Sequence, residues 1–151
     1  MKPFSILDDI FDFAIDNEIE AYKFYTDLAA KANNPEMRQV FLDFAAEEQG
    51  HRKLLEDAKK GKKVKIGSEK ISDLKIADYA VDVKPTPNMA YKDALILAMK
   101  KEKASFALYT DLAAVTQDSA GKKLFTSLAQ QEAKHKLRFE LEYDGIVLKE
   151  D

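Results

Sequence analysis

The 151-residue chain has no cysteine and no tryptophan, and it contains only five glycines, four prolines and two histidines. Without cysteine, disulfides, thiolate zinc sites and cysteine-bound iron are excluded, so Glu, Asp or His would have to hold any metal. Few glycines and prolines, with 34% charged and 46% apolar residues, are typical of a soluble, helix-rich globular protein. The length is typical of one domain with a substantial core.

The chain also lacks a strong charge of either sign and any long apolar run. A net charge of −3 gives no reason to expect nucleic acid or an anionic membrane as a partner. No stretch approaches 18 apolar residues, and Asp8, Asp9 and Asp12 lie where a signal peptide would need an apolar run. We therefore expect a cytoplasmic protein.

Apolar residues recur every three or four positions in four segments, which predicts four amphipathic helices. Asn34 is a candidate N-cap and Pro35 a candidate first residue of the second helix, and Gly61 is a plausible end for it. The expected helices cover about residues 4–33, 35–61, 88–115 and 118–145.

Short connections within each half of the chain predict two antiparallel helical hairpins, over about residues 4–60 and 88–145. Residues 61–87 between them are long enough to return the chain along the length of a helix, as a crossover with one short helix at about 73–80. The sequence therefore predicts an all-α four-helix bundle that forms a single domain over residues 1–151.

One hexapeptide occurs twice: the letters YTDLAA begin at Tyr25 and again at Tyr109, an offset of 84 positions. The same offset, without any insertion, superposes further identical residues. These pairs are Ala14 with Ala98, Glu18 with Glu102, Phe41 with Phe125, Ala45 with Ala129, Glu48 with Glu132, and His51 with His135. The two hairpins therefore look like copies of one unit, which predicts a pseudo-two-fold bundle.

Four glutamates that both copies retain lie within apolar stripes. Glu18, for example, lies four residues after Ala14 and four before Tyr22, so it should face the core. The same spacing predicts core positions for Glu48, Glu102 and Glu132. A buried carboxylate without a partner is costly, and four that converge need a compensating charge. Two divalent cations would supply it.

Both histidines of the chain occupy a Glu-x-x-His motif, EQGH at Glu48–His51 and EAKH at Glu132–His135. Positions i and i+3 project to the same side of a helix, so each motif can offer a carboxylate and an imidazole to one metal. Glu and His without Cys suit iron, manganese or zinc rather than calcium or magnesium. The pattern predicts a dinuclear metal centre, and a purely structural set of buried ion pairs is the alternative.

At these residues the chain resembles the ferritin-like di-iron carboxylate family, and within it the rubrerythrin-like proteins and bacterioferritin. The resemblance implies two metal ions, with iron expected and manganese or zinc as alternatives. It implies terminal ligands Glu18 and Glu102, bridging ligands Glu48 and Glu132, and capping ligands His51 and His135. It also implies an oxidoreductase that reduces O2 or hydrogen peroxide, and a homodimer.

Two departures from the family's pattern bear on function. Full rubrerythrins add a cysteine-bound iron, so here the electrons would come from an external donor protein. They also carry a glutamate three residues after the third-helix ligand, where this chain has Ser105, and this makes the ligand set closer to that of bacterioferritin. A non-catalytic metal-binding or iron-handling bundle is the second hypothesis, and an interaction scaffold without metal is the third.

Tyr25 and Tyr109 lie two turns after Glu18 and Glu102 on the same helix faces. We expect each phenol to hydrogen-bond a metal-bound carboxylate of the other hairpin, and a core tyrosine bonded to backbone or water is the alternative. The remaining expectations concern three kinds of residue. Glu20 and Glu47 are excluded as ligands because their repeat partners are Ala104 and Gln131. The site should be lined by Phe41, Phe44, Phe106 and Phe125. Gly50 either makes room for a neighbour or is merely tolerated.

Overall fold

The computed structural model describes residues 3–32, 34–61, 64–66, 74–81 and 84–150, without the side chains of residues 3–6, 76, 77 and 150. Its four helices are α1 (Pro3–Lys31), α2 (Pro35–Gly61), α3 (Tyr91–Val115) and α4 (Ser119–Glu150). The expected all-α four-helix bundle is confirmed. Helix α1 packs along α2, α3 packs along α4, and α1 touches α3. No helix in the described part of the chain has an apolar stretch long enough to cross a membrane.

The starts of α2 and α4 show how closely the two hairpins repeat each other. Oδ1 of Asn34 accepts a 2.8 Å hydrogen bond from the backbone N–H of Met37, and Oδ2 of Asp118 accepts one of 2.8 Å from Gly121. Each side chain thus satisfies a backbone donor in the first turn of its helix. Asn34 and Asp118 are themselves related by the offset of 84 positions. The predicted N-cap of α2 is confirmed.

Some predicted boundaries were wrong. Helix α4 continues past Gly145 to Glu150, because Tyr143 and Ile146 pack on the apolar core and hold the last turns in place. Helix α3 begins at Tyr91 rather than near residue 88. Among the described residues of the crossover, Ile76–Tyr79 form a 3-10 turn instead of a helix over about 73–80, and residue 73 itself lies outside the described residues.

The core consists of two apolar clusters at different heights of the bundle. Along α1, Ala14 belongs to one cluster and Ala21 to the other, and Glu18 lies between them. Along α3, Ala98 and Leu108 belong to different clusters in the same way, with Glu102 between them. The conserved spacing of the repeat therefore builds one buried polar layer across the middle of an otherwise apolar core.

Candidate metal centre

The polar layer brings together all six residues that the sequence nominated as metal ligands, and none of them is more than 6% exposed. They form two groups whose ligand atoms lie within 4.8 Å of one another. We call these groups position one and position two. Position one consists of Glu18, Glu48, His51 and Glu132, and position two consists of Glu48, Glu102, Glu132 and His135.

The two positions share a pair of carboxylates, one from each hairpin. Nδ1 of His51 lies 3.1 Å from Oε1 of Glu132, on the other hairpin. Nδ1 of His135 lies 3.2 Å from Oε1 of Glu48, again across the bundle. Because Glu48 and Glu132 each contribute to both groups, they are placed where bridging ligands of a two-metal centre would be.

The cluster is suited to bind metal ions because it contains buried polar atoms that have no hydrogen-bond partner in the described part of the chain. Each of the six residues has a buried oxygen or nitrogen atom without a hydrogen bond among the described residues. These atoms are Oε2 of Glu18, Oε1 of Glu48, Nδ1 of His51, Oε2 of Glu102, Oε1 of Glu132 and Nδ1 of His135. Orphaned buried polar atoms are rare and costly, and divalent cations coordinated by all six would satisfy them together.

The electrostatics of the layer also indicate that the cluster needs positive charge. Burial raises the pKa of Glu132 well above the usual carboxyl value, and the charge of Glu102 adds to the shift. Burial likewise raises the pKa of Glu48, with a further contribution from Glu18. Burial lowers the pKa of His51, but its contacts with Glu132 and Glu18 outweigh this and raise that pKa to about 9. When no cation is bound, the layer therefore favours taking up protons to reduce its negative charge.

One carboxylate departs from this trend. Burial by itself raises the pKa of Glu102, but the neighbouring Glu132 and His135 lower it below its ordinary value. The hydroxyl of Tyr25 contributes in the same direction. The pKa of Glu102 therefore favours the charged carboxylate more than the pKa values of Glu48 and Glu132 do.

Each nominated tyrosine donates a hydrogen bond across the bundle. The Tyr25 hydroxyl donates to Oε1 of Glu102, and the Tyr109 hydroxyl donates to Oε1 of Glu18 over 2.6 Å. In both glutamates the remaining oxygen, Oε2, is the orphaned one. The two phenols therefore orient the glutamates of the opposite hairpin with one oxygen free for a metal.

Sequence reasoning missed one residue next to the cluster, Glu47. Its Oε2 accepts a hydrogen bond from Nε2 of His135, on the opposite hairpin. The argument from the repeat excluded Glu47 as a ligand, and the structure places it outside both metal positions, as a partner of one ligand. Its place one turn before His51 on the same helix side was the signal that could have found it.

The expected aromatic lining is only partly present. Phe44 stacks on the His135 ring with 4.0 Å between ring centroids. Phe41 packs on Phe139 and Tyr91, and Phe125 packs on Phe11 and Tyr109. Phe106 was wrongly placed in the lining, because it is 39% exposed.

A cavity of about 190 Å³ lies between α1, α3 and the crossover and reaches the polar layer. Its inner wall includes Tyr25, Glu48, Glu102 and Glu132, whereas Glu18 is not part of it. Ser105 also lines the cavity, at the position where full rubrerythrins carry a further glutamate. The cavity therefore gives small molecules a route to the side of the cluster that contains Glu102.

The bundle and its layer of four glutamates and two histidines define a ferritin-like carboxylate protein. The family model described as Rubrerythrin matches residues 9–143, which is most of the chain. The chain belongs to the rubrerythrin family.

Two solved structures are similar in fold. A candidate ferritin-like diiron-carboxylate protein from Thermotoga maritima is 22% identical, with 95% of each chain covered and a TM-score of 0.72. A hypothetical protein from Pyrococcus furiosus is 24% identical, with 89% of this chain and 86% of that chain covered and a TM-score of 0.68. At these identities the likeness shows the fold alone. No curated protein matches the chain significantly.

Proposed function

We propose that the protein binds two metal ions, with iron as the native metal, and is an oxidoreductase that reduces O2 or hydrogen peroxide. The observation that carries the proposal is the sharing of Glu48 and Glu132 between two metal positions. A single-metal site would leave several of the orphaned atoms without a partner. Membership of the rubrerythrin family supports the choice of iron.

Iron bound there would supply the electrons that reduce the oxidant. The protein's own residues would hold and shield the ions. Glu18 and Glu102 would act as terminal ligands, and the hydroxyls of Tyr109 and Tyr25 would fix their orientation. The apolar clusters above and below the layer keep bulk water away, so charge interactions within it are stronger than at the surface.

The cavity beside Glu102 is the proposed route of the oxidant. A cavity must offer only about 10–15 Å³ to hold a single water molecule, so a cavity of about 190 Å³ is large enough for O2 or hydrogen peroxide. Serine at position 105 adds no carboxylate to this route, and Glu20, which also lines the cavity, lies 3.7 Å from Nζ of Lys101 and belongs to neither metal position. We therefore propose that the six-residue ligand set stays unchanged during the reaction.

The test is oxidant consumption by protein loaded with Fe²⁺ without oxygen. We expect added hydrogen peroxide or O2 to be consumed in proportion to bound iron, with a new near-ultraviolet absorption. Glu132→Gln should lose both signals, because it removes a shared ligand. Glu36→Gln is the control, because Glu36 belongs to neither metal position and its side chain is 83% exposed, and this variant should keep both signals. An iron-loaded protein that stays colourless and consumes no more oxidant than free iron would contradict the proposal.

A non-catalytic metal-binding or iron-handling protein is the second candidate. It is favoured by the absence of cysteine, since the chain has no cysteine-bound iron that could deliver electrons to the centre. In this candidate the centre is a metal reservoir or is filled with zinc. Redox-inert zinc at both positions, found by elemental analysis of protein purified from its native host, would favour it over the oxidoreductase. The external electron donor, the homodimer and the cytoplasmic location all stay predictions.

A further inference from the structure

The two histidines of the cluster are not held in the same way. Nε2 of His135 donates to the carboxylate of Glu47, and the ring of Phe44 stacks on the imidazole. Nδ1 of the same ring faces the cluster, 3.2 Å from Oε1 of Glu48 and 3.5 Å from Oε1 of Glu102. His135 is therefore fixed on its outer side while its inner nitrogen is directed at position two.

The repeat does not provide this support for His51. The offset of 84 positions places Gln131 where the other hairpin has Glu47. Glutamine is neutral, so it cannot form the charge-assisted hydrogen bond that a carboxylate forms with an imidazole N–H. Within the described ranges, the carboxylates next to His51 are those of the cluster itself, and all of them approach Nδ1.

The hydrogen bonds that tyrosines donate to the terminal glutamates do not distinguish the two positions. Tyr25 and Tyr109 are related by the repeat, and each donates to one terminal glutamate. The shared ligands belong to both positions by definition. Among the described residues, the pair of Glu47 with Gln131 is the charged difference in outer contacts between the two positions, and Phe44, whose repeat partner is Leu128, adds an uncharged one at His135.

We propose that the two metal positions are unequal and that Glu47, as a positioning residue, makes position two the tighter one. This inference rests on the proposed metal centre. A carboxylate that accepts a hydrogen bond from the outer nitrogen keeps the proton at Nε2 and leaves the lone pair of Nδ1 free for the metal. It also makes the imidazole a stronger electron-pair donor to that metal. Outer partners of this kind change metal affinity by about 10-fold to 100-fold.

Unequal affinities in the unmodified protein would not be sufficient evidence, because repulsion between two nearby dications also weakens the second binding step. The test therefore isolates each position. Glu18→Gln removes a ligand that belongs only to position one, and Glu102→Gln removes one that belongs only to position two. Glu47→Gln is then added to each variant, as a double-mutant comparison. Zn²⁺ is the probe, because it binds without redox chemistry, and calorimetric titration gives its dissociation constant.

We expect Glu47→Gln to weaken Zn²⁺ binding by about 10-fold or more when position two remains, and by less than about 2-fold when position one remains. Glu36→Gln serves as the matched surface control and should change neither constant. Glu47 is half-exposed, with 47% of its side chain accessible, so the variant should fold, and unfolding curves with EDTA verify this.

The outcomes separate this inference from the function on which it rests. If the unmodified protein binds two Zn²⁺ ions but Glu47→Gln weakens both positions equally, or neither, the inference is wrong and the metal centre stands. If the unmodified protein binds no Zn²⁺ at saturating concentration, both are wrong. A loss confined to position two cannot come from a general destabilisation of the fold, which would affect both positions.

Discussion

The hydroxyl of Tyr109 donates a 2.6 Å hydrogen bond to Oε1 of Glu18, 91 residues earlier in the chain. Its repeat partner Tyr25 donates to Glu102 in the same way. Each contact joins one hairpin to the other at the level of the buried carboxylates. The repeated hexapeptide of the sequence therefore connects the two halves of the bundle at the candidate metal centre.

Tyr109→Phe should weaken metal binding by about 10-fold, because the carboxylate of Glu18 loses the donor that orients it. Without metal, the variant should also be less stable by roughly 1–3 kcal/mol, since a buried charged acceptor loses its partner. Tyr22→Phe on α1 is the matched control, because its hydroxyl makes no hydrogen bond within the described part of the chain. Zn²⁺ titration and chemical unfolding measure both effects, and equal results for the two variants would show that the Tyr109 hydroxyl has no role.

The stability of the metal-free protein should fall as pH rises from about 5 to about 9. The pKa of His51 is raised from 6.5 to about 9, so its stabilising contribution is present below pH 6.5 and is lost as pH rises through about 9. The raised pKa values of Glu48 and Glu132 act in the same sense above 4.5. The lowered pKa of Glu102 acts oppositely, but only at pH values below 4.5.

Metal binding should reverse this pH dependence, because the ligands bind metal only when deprotonated. The gain in melting temperature from Zn²⁺ over EDTA should therefore increase between about pH 5.5 and about pH 8.5. Thermal unfolding with Zn²⁺ and with EDTA at several pH values measures this difference in melting temperature. A metal-free protein that becomes more stable over this range would show that the cluster does not hold protons as described.

Gly50→Ala should stabilise the protein by about 1 kcal/mol, because glycine is a poor helix former and an added Cβ meets nothing within 4 Å. The structure thus favours a merely tolerated glycine at this position, despite its place between two ligands. Gly121→Ala is the contrasting variant. Its Cβ would lie 2.6 Å from Cγ2 of Thr116, so we expect destabilisation. Melting temperatures that move in the same direction for both variants would contradict the account.

Asp118→Ala should destabilise the protein more than Asn34→Ala does. Both remove an N-cap, which typically costs about 1 kcal/mol. Asp118 also accepts a 2.8 Å hydrogen bond from the backbone N–H of Lys65 and so ties the crossover to the start of α4. Asp118→Asn, which keeps one acceptor oxygen, should give an intermediate result. Chemical unfolding of the three variants tests the order, and equal losses for Asp118→Ala and Asn34→Ala would remove the crossover contact from the explanation.

The sequence was sufficient to predict much of the fold and the members of the cluster. Helix periodicity and the Asn34–Pro35 signal predicted four helices and the start of α2, because both depend on local backbone physics. The ungapped repeat predicted that Glu18 and Glu102 would occupy equivalent buried places. A carboxylate within an apolar stripe is informative because its burial needs a compensating partner.

What the sequence did not reveal depends on contacts between distant segments. Glu47 was set aside because the repeat offers Gln131 in its place, and its partner His135 is recognisable only once the hairpins are packed. Phe106 has the spacing of a core residue, yet its exposure is decided by how α3 is rotated against its neighbours. The end of α4 beyond Gly145 likewise depends on tertiary packing, which overrides the low helix propensity of glycine.

The central claim is that six residues form one centre for two metal ions, and metal stoichiometry tests it most directly. Protein saturated with Fe²⁺ without oxygen and then freed of unbound metal should contain about two ions per chain by elemental analysis. Glu48→Gln, which changes a ligand of both positions, should retain fewer than one, and Glu36→Gln should retain two. Iron contents that are equal in Glu48→Gln and the unmodified protein, or an unmodified protein that retains no iron, would contradict the account.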